Sequence, residues 1–479
     1  MAGAGMTANA AGEARNIIFF LGDGMGPTTV TASRIYAYGE DGKLTMDTLR
    51  RTARIKTYSE DGQTTDSAPS MAAYMTGVKM RNEVISMSAG TVAVSPSADV
   101  NGNGGGVDNC PAQGSSTAAG TPVYTILELA KANGKAVGSI TTTELTHATP
   151  AATYAHICNR NAQYQIASQA VPGGAGYNSR LGDGVDVLMG GGRNQWTPYN
   201  SVSNTKGRAD ARNLLTEMAG LDYTVAATKT DMAAAPNNKK FIGIYSATSH
   251  LDYDLDRINN PASTQPSLAD MTSKSIDILT QRGGSKGYFL MVEGGRIDHA
   301  LHGTNAKRAL QDTKAFDDAI KVALTKVDLK NTLVVVTADH DHVMTFNGYT
   351  GRTGKTTPTN PGILGASHAV VVDKSSDAKA ITLADGKLHA PNYDAGGKTS
   401  TTLVFGNGGG PRPDVRADVA STDADNYLQE VGVKLGSAGS ETHGGGDVML
   451  FADGAGSDGF RGSKVNTWVF GKLKEAFGF

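Results

Sequence analysis

Residues 15–24 of this 479-residue chain read Arg-Asn-Ile-Ile-Phe-Phe-Leu-Gly-Asp-Gly, a short apolar run that ends in an acidic, glycine-flanked loop. A run of this length bounded by a turn is typical of a buried strand in a parallel sheet. We therefore expect a strand that places Asp23 where it ends. Four later segments have the same character, at residues 135–142, 288–292, 332–337 and 448–452.

Segments with helical periodicity lie between these strands, at residues 124–133, 267–281, 305–327 and 465–477. Alternation of strands and helices predicts an α/β fold: a large, mostly parallel central sheet with helices on both faces. Ligands of such sheets bind beyond the carboxyl ends of the strands. Three of the predicted strands end in acidic loops, which is the first indication of a functional site.

Two polar, glycine-rich stretches, 86–120 and 350–440, are interpreted as insertions. Within the first, the segment that starts at Asp99 begins like a calcium-binding loop. Its twelfth position is Cys110 and not glutamate, so a flexible polar loop is the favoured interpretation.

The composition excludes several classes of protein. Charged residues make up 19% of the chain, hydrophobic residues 39%, and the net charge is −2. These values argue against a disordered chain, a coiled coil and a nucleic-acid binder with a basic face. No apolar run is long enough to span a membrane, and residues 1–6 do not resemble a signal peptide. The two cysteines, Cys110 and Cys158, are interpreted either as a disulfide or as two free thiols.

Histidine and aspartate cluster in three short windows. Asp298 and His302 are four residues apart, which places them on one face of a helix. The segment 339–342, Asp-His-Asp-His, follows a predicted buried strand, and His443 follows Glu441 and Thr442. Imidazole and carboxylate ligands together suit zinc, so these windows predict a metal site.

Two further windows each allow two interpretations. Ser67, between Asp66 and Ala68, is either a helix N-cap or a nucleophile held at the positive end of a helix. Arg160 is expected about three turns along a helix that starts near Pro150. It is either a solvated or ion-paired arginine or a guanidinium that forks onto two phosphate oxygens.

Taken together, these windows resemble the alkaline phosphatase family. The matching motifs occur in family order and are 22–26 (Gly-Asp-Gly-Met-Gly), 66–68 (Asp-Ser-Ala), 149–151 (Thr-Pro-Ala), 292–299 (Val-Glu-Gly-Gly-Arg-Ile-Asp-His), 337–340 (Thr-Ala-Asp-His) and 441–443 (Glu-Thr-His). The resemblance implies one catalytic domain over 15–479, with 86–120 as an inserted loop region and 350–440 as a crown-like insertion.

The resemblance also implies a cofactor set of two Zn²⁺ and one Mg²⁺ per chain. The first zinc would be held by Asp298, His302 and His443, and the second by Asp23, Asp339 and His340. Magnesium would be held by Asp23, Thr149 and Glu293. The catalytic group would be Ser67 as nucleophile and Arg160 as phosphate clamp, with His147 and His299 beside them and His342 steadying a zinc ligand.

Four positions depart from the bacterial or the animal pattern. His147 and His299 stand where many bacterial members have aspartate and lysine, and both are histidine in the animal branch. The resemblance therefore leaves open whether the third site holds magnesium or zinc. Ala247 and Gln265 stand where the animal enzymes have two acidic calcium ligands, so no such calcium site is expected.

The implied activity is hydrolysis of a broad range of small phosphate monoesters through a phosphoserine, with inorganic phosphate as an inhibiting product. The family further implies a homodimer, no nucleic-acid partner, and a periplasmic or extracellular location. Three alternatives are a sulfatase, a phosphodiesterase and a phosphate- or metal-binding protein without activity. A sulfatase would need an arginine in its modification motif at the position where this chain has Met71. A phosphodiesterase would normally lack the magnesium site, whereas Thr149 and Glu293 are both present here. A binding protein without activity would not need the full set of metal ligands, which this chain retains.

Overall fold

A computed structural model describes residues 13–96, 110, 120–200, 206–369, 376–412, 415–419, 421–436 and 439–479. Most of the calcium-like segment that starts at Asp99 lies outside these residues. Within the described ranges, no helix combines the length and the apolar character needed to cross a membrane.

The centre of the molecule is a ten-stranded sheet in the order β17-β2-β16-β8-β1-β7-β3-β4-β6-β5. Every neighbouring pair is parallel except the two that involve β16, which runs antiparallel to β2 and β8. The strands are β1 (Asn16–Gly22), β2 (Arg51–Lys56), β3 (Ala136–Glu144), β4 (Val187–Gly191), β5 (Tyr223–Ala226), β6 (Lys240–Ile244), β7 (Tyr288–Gly294), β8 (Thr332–Ala338), β16 (Val448–Gly454) and β17 (Gly462–Val465).

The five strands predicted from apolar runs are present and include the central ones. Strands β1, β7 and β8 are buried at every position, since helices cover both of their faces. The predicted strand at 448–452 is β16, whose antiparallel direction the residue pattern did not indicate. The large, mostly parallel α/β sheet is thus confirmed.

The helices form two packed groups, one on each face of the sheet. The first contains α1 (Pro27–Tyr38), α8 (Asp254–Asn259), α9 (Leu268–Gly283), α10 (Arg296–His302) and α11 (Ala306–Lys326), and the second contains α2 (Ser67–Thr76), α3 (Ile126–Ala132), α4 (Ala148–Tyr154) and α12 (Thr467–Phe477). The other described helices are α5 (Gln163–Gln169), α6 (Leu214–Gly220) and α7 (Lys229–Ala234). The four predicted helices correspond to α3, α9, α11 and α12.

Between β8 and β16 the chain leaves the central sheet and forms three small ones. Their strands are β9 (Asp341–His342), β10 (Met344–Phe346), β11 (Ile381–Thr382), β12 (Leu388–His389), β13 (Leu403–Gly408), β14 (Val431–Lys434) and β15 (His443–Gly444). β15 pairs with β9 so that His443 lies opposite His342. This pairing returns the chain from the small sheets to the carboxyl end of β8.

Candidate active site

Three adjacent central strands deliver carboxylates to one place at their carboxyl ends. Asp23 follows β1, Glu293 is the second-to-last residue of β7, and Asp339 follows β8. Strands β8, β1 and β7 are neighbours in the sheet. All three carboxylates are fully buried. Burial of several negative charges together is very unfavourable unless protons or a cation compensate them.

Ser67 is the first residue of α2, but it does not cap this helix. The N-cap is Asp66, whose side chain accepts a hydrogen bond from the Ala68 amide at 3.2 Å. The Ser67 hydroxyl instead lies 3.1 Å from His340 Nε2 and 3.3 Å from Asp23 Oδ1. The capping interpretation is therefore wrong, and the hydroxyl lies among the predicted metal ligands.

A first group of donors consists of Asp298, His302, His342 and His443, which bring one ligand atom each to within 4.8 Å of one another. Asp298 and His302 lie one turn apart on α10, with His302 Nε2 3.3 Å from Asp298 Oδ1. His443 Nε2 is 3.1 Å from His302 Nε2 and 3.5 Å from Asp298 Oδ1. Residues from two distant parts of the chain thus converge on a single carboxylate.

Backbone carbonyls fix which nitrogen of these two histidines carries the proton. His302 Nδ1 donates to the carbonyl of Glu441 at 2.5 Å, and His443 Nδ1 donates to the carbonyl of Thr65 at 2.8 Å. Neutral rings then have a lone pair on each Nε2, and these lone pairs face each other and Asp298. Three facing acceptors repel unless a cation lies between them, and this donor set fits zinc.

His342 is held between two carboxylates. Its Nε2 lies 2.7 Å from Asp298 Oδ1, and its Nδ1 bonds to Glu441 Oε2. Burial alone would lower the pKa of His342, but the hydrogen bonds to Asp298 and Glu441 outweigh it and raise the pKa to about 9. A protonated ring donates at both nitrogens and has no lone pair for a metal, so His342 is placed to orient Asp298.

A second group, Asp23, Asp298 and His340, also brings its ligand atoms within 4.8 Å. His340 Nε2 lies 3.2 Å from Asp23 Oδ1 and 3.5 Å from Asp339 Oδ2. Asp339 Oδ1 accepts from the amides of Gly24 and His340, each at 3.0 Å, whereas its Oδ2 is buried without a hydrogen-bond partner. The free oxygen, the imidazole and the neighbouring carboxylate form a donor set that fits a second zinc.

The third group is Asp23, His147 and Glu293. Four buried polar atoms without a hydrogen-bond partner lie on these residues and on Thr149: Asp23 Oδ2, His147 Nδ1, Glu293 Oε1 and Thr149 Oγ1. Unpartnered buried polar atoms are rare in native proteins and call for a bound group. The three oxygens among these atoms form a donor set that fits magnesium.

Burial of the carboxylates shifts their proton affinity in the expected direction. Burial, together with the neighbouring charge of Asp339, raises the pKa of Asp23 well above its usual range. Burial also raises the pKa of Glu293 to about 7, although the hydrogen bond from Thr141 opposes this change. A site that retains protons on its carboxylates is one in which a cation would replace those protons.

Arg160 lies in the site, but the prediction that it is on a helix is wrong. Helix α4 ends at Tyr154, since Ile157 leaves the helical path to form a β-bridge with Ile85. The Arg160 amide then donates to the Glu83 carbonyl at 2.8 Å. The side chain is ion-paired with Asp66 through Nη1. Arg160 is thus held by a loop that packs beside the N-terminus of α2.

Arg160 also determines the protonation of His147. Its Nη2 lies 2.9 Å from His147 Nε2. A guanidinium only donates, so His147 Nε2 accepts and the ring proton is on Nδ1. Burial, reinforced by the charge of Arg160, holds the pKa of His147 well below its usual range, so the ring is neutral. Nδ1 is the buried atom of His147 that has no hydrogen-bond partner.

His299 lies on the same side of the site, in contact with a histidine that the sequence analysis missed. The ring centroids of His299 and His250 are 4.2 Å apart, and each ring is 5.4 Å from His147. His250 lies in the loop after β6, and neither it nor Asp252, two positions later, belongs to a motif. No signal in the sequence pointed to it, because β6 itself was not predicted.

Cys110 and Cys158 are joined in a disulfide, so the first of the two interpretations of the cysteines is confirmed. Cys158 lies two residues before Arg160, and its amide contacts the Cys110 sulfur at 2.9 Å. The bond therefore ties the loop that carries Arg160 to a residue of the first inserted stretch.

The comparisons with known proteins agree on one family. A family model described as alkaline phosphatase matches residues 14–479. The chain is 35% identical over 476 residues to the tissue-nonspecific alkaline phosphatase isozyme of Gallus gallus, with 92% of this chain and 80% of that protein covered. It is 34% identical over 472 residues to an alkaline phosphatase of Gadus morhua, with 92% and 87% covered.

Solved structures of bacterial enzymes share the fold. The alkaline phosphatase of Thermus thermophilus superposes with a TM-score of 0.65 at 24% identity, with 99% of this chain and 94% of that chain covered. The enzyme of the Antarctic bacterium TAB5 superposes with a TM-score of 0.62 at 20% identity, with 98% and 99% covered. The chain, matched along nearly its whole length, belongs to the alkaline phosphatase family.

Proposed function

We propose that this chain hydrolyses phosphate monoesters in two steps through a phosphoserine on Ser67, with broad specificity for the alcohol. Membership of the family makes the chain a phosphoric monoester hydrolase, and the route and the residue roles are the proposal. The observation that supports it most is the position of Ser67 Oγ, 3.1 Å from His340 Nε2 and 3.3 Å from Asp23 Oδ1.

In the first step Ser67 Oγ forms a bond to phosphorus, and the bond from phosphorus to the alcohol oxygen breaks. In the second step a water oxygen bonds to phosphorus, the phosphorus–Oγ bond breaks, and inorganic phosphate is released. In the first step Ser67 gives up its hydroxyl proton and the alcohol takes up one; in the second the water gives up one proton and Ser67 takes one back, so each step balances. The N-terminus of α2 would offer backbone amides and the positive end of the helix dipole to the phosphoryl group.

The chain would hold two Zn²⁺ and one Mg²⁺. One zinc would be held by Asp298, His302 and His443, and the other by Asp23, Asp339 and His340. Magnesium would be held by Asp23, Thr149 and Glu293. When bound, the metals supply positive charge that favours ionisation of Ser67 and stabilises the phosphoryl and leaving-group oxygens. The role of His342 is to donate to Asp298 and hold its orientation.

Three further side chains would act beside the metals, two near the phosphoryl group and one at the third metal site. Arg160 forks onto two phosphate oxygens, while Asp66 holds the guanidinium in place. His147 presents an N–H and not a lone pair to the third site, so it would donate to a magnesium-bound water rather than ligate zinc. A variant of the TAB5 enzyme in which a histidine is replaced by aspartate is described with Mg bound in its M3 site. His299 would lie near the phosphate.

The remaining expectations concern the whole protein. We propose one catalytic domain over 15–479 with inserted regions at 86–120 and 350–440, the latter crown-like and at the interface of a homodimer. We expect inorganic phosphate to inhibit as a product, because the side chains that would bind the phosphoryl group would also bind phosphate. A periplasmic or extracellular location is proposed, and the Cys110–Cys158 disulfide supports it.

Substitution of the nucleophile tests the proposal. Ser67→Ala should lower kcat by about 10³-fold or more, because the two-step route is lost. Acid quenching of the wild-type enzyme during turnover should trap phosphate on Ser67. As a matched control, Ser70→Ala removes a hydroxyl one turn along the same helix and should still trap phosphate. Trapped phosphate that maps to any other residue would overturn the assignment.

A substrate panel separates the alternative functions. Wild-type protein should hydrolyse a chromogenic phosphate monoester much faster than the corresponding diester or sulfate ester. Preference for the sulfate or the diester would favour the sulfatase or phosphodiesterase interpretation. Binding of phosphate without turnover of any of the three would favour the inactive binding protein.

A further inference from the structure

We propose that His250 is a positioning residue that holds the imidazole of His299 in the site. The proposal rests on the function proposed above, which places His299 near the phosphoryl group. His250 comes from the loop after β6. In the sheet, β4 and β3 separate β6 from β7, the nearest strand that carries one of the three central carboxylates, and His250 belongs to none of the family motifs.

His250 is itself firmly held. Its Nδ1 accepts a hydrogen bond from the Glu144 amide at 3.0 Å, at the end of β3. The next residue, Leu251, donates its amide to the Thr142 carbonyl at 2.9 Å. Because Nδ1 is an acceptor, the proton of the neutral ring is on Nε2. The end of β3 thus fixes both the position of His250 and its tautomer.

The fixed ring supports His299 from one side. The two ring centroids are 4.2 Å apart with an angle of 44° between the planes. From another side, Arg296 Nη1 donates to His299 Nδ1 at 2.9 Å. Arg296 defines which nitrogen of His299 faces it. The packed ring of His250 restricts rotation of the His299 ring about its terminal side-chain bond, whose torsion angle is otherwise broadly distributed. Together they hold one orientation, in which Nε2 carries the ring proton and lies 3.9 Å from Asp298 Oδ2.

His250 also meets His147, at 5.4 Å and an angle of 89°. An edge-to-face contact of this kind adds to the packing of both rings. His250 therefore packs against both His147 and His299, whose rings also contact each other at 5.4 Å. We infer that a site with two histidines at these positions depends on a third ring that fills the space behind them.

A double-mutant cycle tests this role. In the metal-loaded enzyme, His250→Ala should raise both KM for a phosphate monoester and the inhibition constant of inorganic phosphate by about three- to tenfold. The change in kcat should be smaller than that in KM. In the His299→Ala background the same substitution should change KM by less than about twofold, because the ring that it positions is gone.

The controls separate positioning from a general loss of structure. Asp252→Asn changes an exposed residue in the same loop and should leave KM unchanged. Zinc content and Tm verify that each variant is folded and loaded. Should His250→Ala fail to fold, His250→Asn keeps an acceptor for the Glu144 amide but lacks the ring, and the cycle is run with it.

An equal increase of KM in the wild-type and His299→Ala backgrounds would overturn the positioning role, and so would an unchanged KM in the single variant. Either result leaves the proposed function intact as long as wild-type protein turns over the monoester and phosphate is trapped on Ser67. Failure of that trapping would instead count against the proposed function.

Discussion

Without its metals, this protein should become less stable as the pH rises. Loss of the proton from Glu293 should account for part of this decrease in the free energy of unfolding. Glu293 is fully buried, one of its oxygens has no partner, and burial raises the pKa of its carboxyl from 4.5 to about 7. The folded metal-free protein therefore binds this proton more tightly than the unfolded chain. The stabilising contribution is complete below pH 4.5 and is lost as the pH rises through 7.

The size of the effect follows from the two pKa values. The difference between 4.5 and about 7 corresponds to about 3 kcal/mol, at about 1.4 kcal/mol per tenfold change in proton affinity. For a chain of 479 residues the unfolding entropy is about 1 kcal/mol per degree. The contribution of Glu293 to the change in Tm between pH 4.5 and pH 8.5 is thus roughly 3 °C.

The assay compares wild-type protein with Glu293→Gln, both freed of metal by chelation and verified by elemental analysis. Tm is measured at several pH values from 4.5 to 8.5. His342, with its pKa raised to about 9, also loses its contribution with rising pH, but it does so in both proteins and cancels in the difference. Between pH 4.5 and pH 8.5 the Tm of the wild-type protein should fall by about 3 °C more than the Tm of Glu293→Gln. Addition of Zn²⁺ and Mg²⁺ should remove most of the difference in slope. Parallel curves for the two metal-free proteins would refute the reasoning.

Three further predictions concern the other side of the site and the disulfide. His147→Asp replaces an N–H donor by a carboxylate and should lower the half-saturating Mg²⁺ concentration after complete metal removal; an unchanged titration and zinc content would mean that this residue does not touch the third site. Arg160→Ala removes a charged fork and should raise the inhibition constant of inorganic phosphate about tenfold or more, whereas a constant within twofold of wild type would contradict the clamp. Replacing Cys110 and Cys158 together by serine should lower the free energy of unfolding by about 4 kcal/mol, from the loop-closure entropy for a separation of 48 residues. The loss should appear as a lower Tm, and equal Tm values for the two proteins would contradict it.

The sequence alone located most of the site because strand ends carry a local signature. An apolar run followed by an acidic residue identifies both the strand and its carboxyl end, and Asp23, Glu293 and Asp339 all follow such runs. Helical spacing placed Asp298 and His302 on one face. Family resemblance then assigned Ser67 and Arg160, whose local patterns allowed a cap and a solvated arginine as well.

The tertiary structure decided what depends on contacts between distant segments. Strand pairing brings His443 opposite His342, and carbonyls of Glu441 and Thr65 turn the lone pairs of two histidines toward Asp298. The helix predicted to carry Arg160 ends early because a bridge to a remote segment outweighs local helix propensity.

His250 shows the limit of sequence reasoning most directly. It lies in a loop without a motif, after a strand whose five residues were not recognised as a strand. Its neighbours in the site are His147 and His299, about 100 and 49 positions away in the chain. The sequence by itself determined which residues are chemically able to hold metals and phosphate, because residue type and local period are written in it. Only the fold decided which atoms face each other and where each imidazole proton lies, because these depend on the packing of segments that are remote in sequence.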